Sequence, residues 1–270
     1  MGKNIEVSDK VKSFLRIVDC SDFQENLYFK TKEQVQIINE ILVKRKTSAE
    51  MIQMGVPLLN CTLLYGPTGT GKTTLCKYIA YKLGLNMAYI NFATLIEGGA
   101  FGNTARNLTY VFEELMDKEC VFVLDEIDCI ATDREKEESQ ANGGELKRIT
   151  LTLMQLLDLY EGQKVNSIII GCTNRVTDLD AALKSRFKLK KEIGRWTVEE
   201  KVAYIQKFLK NVKTKTPIEY DIENIRDYCL HSSVLGARDT ESDIKAALSR
   251  WIENGHTGFL LERIRSTDVA

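Results

Sequence analysis

At 270 residues and 30.7 kDa, with 44% hydrophobic and 28% charged residues, the chain can bury a substantial core and divide into one or two domains. Lys+Arg 37 against Asp+Glu 38 leaves a net charge of -1, which excludes a global basic field of the kind that draws proteins to nucleic acid. The seven cysteines show no C-x-x-C spacing and the only histidines are His231 and His256, which argues against a disulfide framework, a histidine metal centre and a Ser-His-Asp triad, and for free thiols in a reducing, cytoplasmic compartment.

The polar stretch Met1 to Lys12 has no signal-peptide pattern, and no apolar run approaches bilayer length. Ser8 is placed to cap a short helix over Lys10 to Val18, with Val11, Leu15 and Val18 on one face. A longer helix is predicted from Lys32 to Met54, striped by Val35, Ile38, Ile41 and Leu42 and ended by Gly55. The apolar run Thr62-Leu63-Leu64-Tyr65 then leads into Gly66-Pro67-Thr68-Gly69-Thr70-Gly71-Lys72-Thr73, the phosphate-binding pattern G-x-x-x-x-G-K-[ST] in its strand-loop-helix setting. Glycines at these positions let several backbone N–H groups converge on phosphate oxygens, and the helix from Lys72 to Leu83 adds its own unpaired N–H groups and positive dipole end. Lys72 is then set against the β- and γ-phosphates of a nucleoside triphosphate, and the Thr73 hydroxyl ligates Mg²⁺.

A strand is predicted over Asn86 to Phe92, followed by the glycine-rich stretch Gly98-Gly99-Ala100-Phe101-Gly102 and a helix over Arg106 to Lys118. Val121-Phe122-Val123-Leu124 reads as a buried parallel strand that ends in the carboxylates Asp125, Glu126 and Asp128. Strand ends of this kind point into the ligand crevice of open α/β sheets. There Asp125 can hold Mg²⁺ through water, and Glu126 can polarise the water that attacks the γ-phosphate. The stretch Thr132 to Gly144 is strongly charged and reads as a loop. After a helix over Gly144 to Tyr160, a second apolar strand from Ser167 delivers the amide of Asn174, a candidate for positioning the attacking water. Lys188 to Ile193 is the last predicted strand.

Strands alternating with helices predict an α/β fold, a doubly wound parallel sheet forming a phosphate-loop domain over residues 1–193. From Gly194 the pattern is helical only, so residues 194–270 are expected to form a small lid. Thr197-Val198-Glu199-Glu200 is a capping box opening a helix to about Asn211. Pro217 precedes predicted helices over Asp221 to Leu230 and Thr240 to Glu253.

With these residues in order the chain resembles the AAA+ ATPases, nearest to the AAA clade proper, as in the proteasomal ATPases and FtsH. Gly66 to Thr74 resembles that family's Walker A, which implies nucleotide contacts from Gly66, Pro67, Thr68, Gly69, Thr70, Gly71, Lys72, Thr73 and Thr74. Val121 to Asp128 resembles its Walker B, and Cys172-Thr173-Asn174-Arg175 its sensor 1 region. Leu179 to Phe187 resembles the "LDPAL…GRF" segment, making Arg186 an arginine finger that serves a neighbouring subunit, although this chain is shorter there and keeps a single arginine. The clade's usual Gly-Ala-Asp is replaced by Gly236-Ala237-Arg238, similar to sensor 2 of the Clp and Hsl unfoldases. Arg238 then either reaches the γ-phosphate or points to water.

The resemblance runs from about Phe29 to about Ser249. It implies an ATPase using ATP and Mg²⁺, with Lys72, Glu126, Asn174 and Arg186 as catalytic residues, assembled as a homo-oligomeric, hexameric ring that remodels, unfolds or translocates a protein substrate. It also places Phe101 in a central pore loop, where the aromatic grips polypeptide, or else folds back onto the core. Two other functions fit the same residues: a nucleotide switch that loads a DNA-bound complex, and an ATPase subunit that activates a separate effector.

Overall fold

A computed structural model describes residues 5–56, 60–93, 96, 103–130, 143–161, 166–232 and 236–263. Clustering of the chain separates two compact units. The first comprises Met1–Phe23, Gln34–Gly66 and Lys72–Ile193, and the second Gln24–Glu33, Pro67–Gly71 and Gly194–Ala270.

The first unit is built on a six-stranded sheet with the order β1-β3-β4-β5-β2-β6. Its strands are β1 (Arg16–Val18), β2 (Cys61–Tyr65), β3 (Asn86–Asn91), β4 (Cys120–Asp125), β5 (Ile168–Thr173) and β6 (Leu189–Glu192). β3, β4, β5, β2 and β6 pair in parallel, and β1 closes one edge antiparallel to β3. Cys120 to Leu124 of β4 and every residue of β5 are buried, as expected of central parallel strands covered on both faces. In the edge strand β6 the residues alternate between half-buried and exposed, so Leu-Lys-Lys-Glu is tolerated there.

The helices of this unit are α1 (Asp9–Lys12), α2 (Lys32–Gln53), α3 (Lys72–Leu83), α4 (Thr104–Leu115), α5 (Gly143–Glu161) and α6 (Ala181–Arg186). α4 buries Leu108, Val111, Phe112 and Leu115 at helical spacing against the sheet. The Phe112 and Phe122 rings meet edge to face with centroids 5.2 Å apart.

The N-terminal expectation needs correction. The helix stops at Lys12, and Arg16-Ile17-Val18 form a strand in register with Tyr89, Ala88 and Met87. Val11 and Leu15 are buried as the helical reading required, but the β-branched pair Ile17-Val18 satisfies its backbone groups on the sheet edge. Ser8 makes no side-chain cap; its backbone N–H and hydroxyl both donate to Glu114.

The second unit carries α7 (Val198–Asn211), α8 (Ile222–His231) and α9 (Ala237–Glu253). Thr197 and Glu200 form the expected capping box, and the Asp221 carboxylate accepts from Glu223 N. Tyr204, Ile205, Phe208, Ile225, Tyr228, Ile244 and Trp251 make its core. Leu27 and Phe29 pack against that core, Phe29 meeting Trp196 edge to face at 5.7 Å, and Lys207 donates to the Tyr28 carbonyl. α9 begins at Ala237, a turn earlier than its sequence pattern indicates, because Asp239 accepts from Gly236 N and caps the start.

Among the described residues, no helix is long and apolar enough to cross a membrane. Cys20, Cys61, Cys76, Cys120, Cys172 and Cys229 are buried free thiols, and Cys129 is a half-buried one.

The centre of the sheet is packed tightly at Gly171 of β5, where an added methyl would stand 2.7 Å from Cε1 and 2.8 Å from Cζ of the fully buried Phe187. Gly171→Ala is therefore expected to lower stability by about 1–3 kcal/mol. Adding Phe187→Leu to the same chain should cost less than it does in the parent. Denaturant unfolding of the two single variants and the double variant checks this, and strict additivity would contradict the clash.

Candidate functional site

The chemistry-bearing side chains of the first unit gather at the C-terminal ends of three adjacent parallel strands, β4, β5 and β2, where open α/β sheets bind ligands. The loop after β2 requires glycine at its first position. Gly66 has φ +141°, and a Cβ there would stand 2.2 Å from the Ile193 carbonyl oxygen. Gly69 and Gly71 also take positive φ, at +80° and +93°. Within the loop the Thr70 hydroxyl donates to the Pro67 carbonyl at 2.9 Å, so this buried side chain braces the turn. Thr68 and Thr74 are exposed.

Lys72 opens α3 and is buried at 7% exposure. Its ammonium donates to the Gly66 carbonyl and to Asn174 Oδ1, both at 2.7 Å. Burial pulls its pKa below the ordinary lysine value, while the thiols and carboxylates around it, among them Cys172, Asp125 and Asp128, act in the opposite sense. The Cys76 and Cys172 thiols lie 3.8 Å apart, and this contact, together with burial, pushes Cys172 well above the usual thiol value.

One residue along α3, the Thr73 hydroxyl donates to Asp125 Oδ2 at 3.0 Å. The same oxygen accepts from the Tyr89 hydroxyl at 2.9 Å, and Asp125 Oδ1 accepts from Glu126 N at 3.0 Å. Burial is the main cause that raises Tyr89 to about 12. Glu126 adopts φ +55°, ψ +41°, a left-handed backbone that costs a non-glycine residue roughly 1–2 kcal/mol. Asp125 and a following 3₁₀ turn, closed by Cys129 N on the Glu126 carbonyl at 2.9 Å, hold it there.

Asp128 joins this turn to β5. Its Oδ1 accepts from the Thr173 hydroxyl at 2.8 Å and from Asn174 N at 3.3 Å, while the Thr173 hydroxyl in turn accepts from Arg175 N at 3.0 Å. The structure thus brings Lys72, Thr73, Asp125, Glu126 and Asn174 together, with Asp128 and Tyr89 as members the motif reading had not given roles. The tyrosine could have been found from the register. Tyr89 pairs with Val123, so it shares a sheet face with Asp125, two residues further on.

Arg186 lies apart from this cluster. Its guanidinium makes two bonds to Asp158 of α5, at 2.9 and 2.8 Å, and one to the Ala182 carbonyl at 2.8 Å. The short α6 that carries it is started by Asp180, whose carboxylate accepts from Ala182 N and Leu183 N. In the second unit, Ala237 N donates to the Gly69 carbonyl at 2.9 Å, and a Cβ on Gly236 would stand 2.7 Å from that same oxygen. Arg238 is the second residue of α9 and is exposed. Phe101 and the loop 98–102 lie outside the described residues, as do residues 132–142 of the charged loop.

The donor set fits a nucleotide with a hard divalent cation. A buried ammonium and glycine-shaped backbone suit phosphate oxygens, and Thr73 and Asp125 present hydroxyl and carboxylate oxygens side by side, the donors Mg²⁺ takes. Fold and site together define a phosphate-loop nucleotide-binding protein of the α/β class. Residues 62–195 match the family model described as "ATPase family associated with various cellular activities (AAA)", so the chain contains an AAA ATPase domain. It is similar to the human ATPase family gene 2 protein homolog A, 31% identical over 188 residues, which are 66% of this chain and 20% of that protein. It is also similar to the peroxisomal ATPase PEX6 of Candida glabrata, 33% identical over 183 residues, 66% of this chain and 18% of that protein. The chain spans about a fifth of the length of these relatives.

Asp128 gives a direct test of this network, because Thr173 is only 1% exposed and its hydroxyl has its acceptor in that carboxylate. Asp128→Ala should cost about 1–3 kcal/mol by leaving a buried donor unsatisfied. Thr173→Val in the same chain should recover part of the loss, measured as the coupling energy of a denaturation double-mutant cycle.

Proposed function

We propose that the chain is the ATP-hydrolysing module of a ring-forming AAA+ machine that remodels or translocates protein substrates. The observation that carries this reading is the convergence of Lys72, Thr73, Asp125, Glu126 and Asn174 at adjacent strand ends. Both relatives are named as ATPases, which accords with it.

In this reading Lys72 exchanges its Asn174 contact for β- and γ-phosphate oxygens, for which an ammonium is the better partner. The freed Asn174 amide then orients the attacking water, its backbone being tied to Asp128. Thr73 and Asp125 would hold Mg²⁺, whose chemistry there would be to neutralise charge on the phosphate oxygens. Glu126, at the strand end beside Asp125, takes the proton of the attacking water. Arg238 is the proposed lid contact to the γ-phosphate and Phe101 the proposed polypeptide grip. Lid, clade assignment, hexameric ring and cytoplasmic setting belong to the same proposal.

Arg186 is proposed to stabilise the transition state in a neighbouring subunit. The Asp158 pair is not an obstacle to this role. Its side chains are 26% and 50% exposed, and partly exposed ion pairs are typically worth about 1 kcal/mol, small beside what a transition-state contact supplies. One well-placed guanidinium in other nucleotide hydrolases is worth roughly 10³ to 10⁵ in rate.

Glu126→Gln should bind ATP with Mg²⁺ and hydrolyse it very slowly, whereas Lys72→Ala should lose binding itself. Hydrolysis by the parent should rise with an unfolded protein and not with DNA. Parent-rate turnover by Glu126→Gln would refute the assigned base, and stimulation by DNA alone would replace the protein-remodelling reading by that of a loader.

Assembly is tested by mixing. Arg186→Ala and Lys72→Ala subunits, each inactive alone, should together recover part of the ATPase rate, since some interfaces then pair an intact loop with an intact finger. Full activity of Arg186→Ala alone would remove the shared site.

A further inference from the structure

We infer that Tyr89 is a positioning residue that fixes the rotation of the Asp125 carboxylate and thereby sets how tightly the nucleotide site holds magnesium. The inference rests on the proposed reading of Thr73 and Asp125 as the magnesium-holding pair.

The two oxygens of Asp125 are allotted differently. Oδ1 is held by the backbone N–H of Glu126, within the same turn. Oδ2 accepts two hydroxyls, from Thr73 at 3.0 Å and from Tyr89 at 2.9 Å. The Thr73 oxygen is a proposed ligand, so its engagement with a cation competes with its orientation toward Asp125. The phenol is not among the proposed ligands, so it is free to keep donating to Oδ2 when Thr73 turns to the cation.

Sheet geometry makes Tyr89 suited to this. Register pairs Tyr89 with Val123 and Asn91 with Asp125, so Tyr89 and Asp125 are diagonal neighbours on one face. A diagonal of this kind spans about 7–8 Å between α-carbons, a gap an aromatic side chain can bridge and a serine or valine cannot. The ring of Tyr89 fills the space along the strand and brings its hydroxyl to the carboxylate at the strand's end. β1 reinforces the placement, since Arg16 pairs with Tyr89 and secures the far side of β3. Among the described residues, the Asn91 side chain also hydrogen-bonds the hydroxyl, and the Glu126 carboxylate acts on it electrostatically.

Without the hydroxyl the carboxylate is oriented only when Mg²⁺ binds, and an ordering cost the size of one hydrogen bond to a charged group corresponds to about a tenfold change in an equilibrium. The test titrates Mg²⁺ into the protein with a fluorescent ADP derivative, and compares ADP affinity in EDTA. Tyr89→Phe keeps the ring and should stay folded, melting only modestly below the parent. It should bind the nucleotide in EDTA as the parent does, and require about tenfold more Mg²⁺ for half of the metal-dependent tightening. In an Asp125→Asn background the same substitution should add no further shift, because the donor then has no carboxylate to orient.

A shift below about twofold, an equal loss of affinity in EDTA, or a full shift persisting beside Asp125→Asn would each overturn the positioning role. A parent protein whose ADP affinity ignores Mg²⁺ would instead overturn the magnesium reading beneath it, which separates the two failures.

Discussion

The arrangement of this site depends on one buried ammonium. Lys72 ties the first residue of the phosphate loop, through the Gly66 carbonyl, to the end of β5, through Asn174. A lysine at 7% exposure has given up most of its hydration, a cost that only close oxygen partners offset. The lowered pKa is the signature of that cost. A group so placed favours an incoming anion strongly, since phosphate oxygens return the interaction that burial removed.

Around that ammonium the acidic groups have separate tasks. Asp125 orients hydroxyls and its own following amide, Asp128 braces Thr173 and Asn174, and Glu126 makes no side-chain cap and has a strained backbone. Three carboxylates within four residues would repel one another if all faced one point. Spreading them over a strand end and a 3₁₀ turn gives Asp125 and Asp128 each a different set of donors. The left-handed conformation at Glu126 is the local cost of this separation, small beside the stability of a domain of this size.

Much of this was legible in the sequence because it rests on short-range rules. The glycine spacing, the apolar runs of β2, β4 and β5, and the Thr197–Glu200 capping box depend on neighbours a few residues apart, and the structure shows each of them. What was not legible depends on pairing at a distance. Arg16-Ile17-Val18 fits either a helix or a strand locally, and only the open edge of β3 decides for the strand. Leu27 and Phe29 carry no local sign that they pack on the helical core formed after residue 194. Tyr89 reads as an ordinary strand aromatic until its register with β4 is known.

The division of the chain into units has a consequence for how the loop is held. Residues 67–71 cluster with the C-terminal helices, while Gly66 and Lys72 on either side belong to the sheet unit. Within the second unit the Gly69 carbonyl accepts from Ala237 N at the start of α9, and Gly236 is too close to that oxygen for any side chain. Within that unit, residues 67–71 are thus held at a helix start. A backbone with positive φ at Gly69 and Gly71 has a large conformational entropy to lose, roughly 1–2 kcal/mol per residue. Holding Gly69 in this way removes part of that loss before any phosphate arrives, and such preorganisation is what converts contacts into affinity.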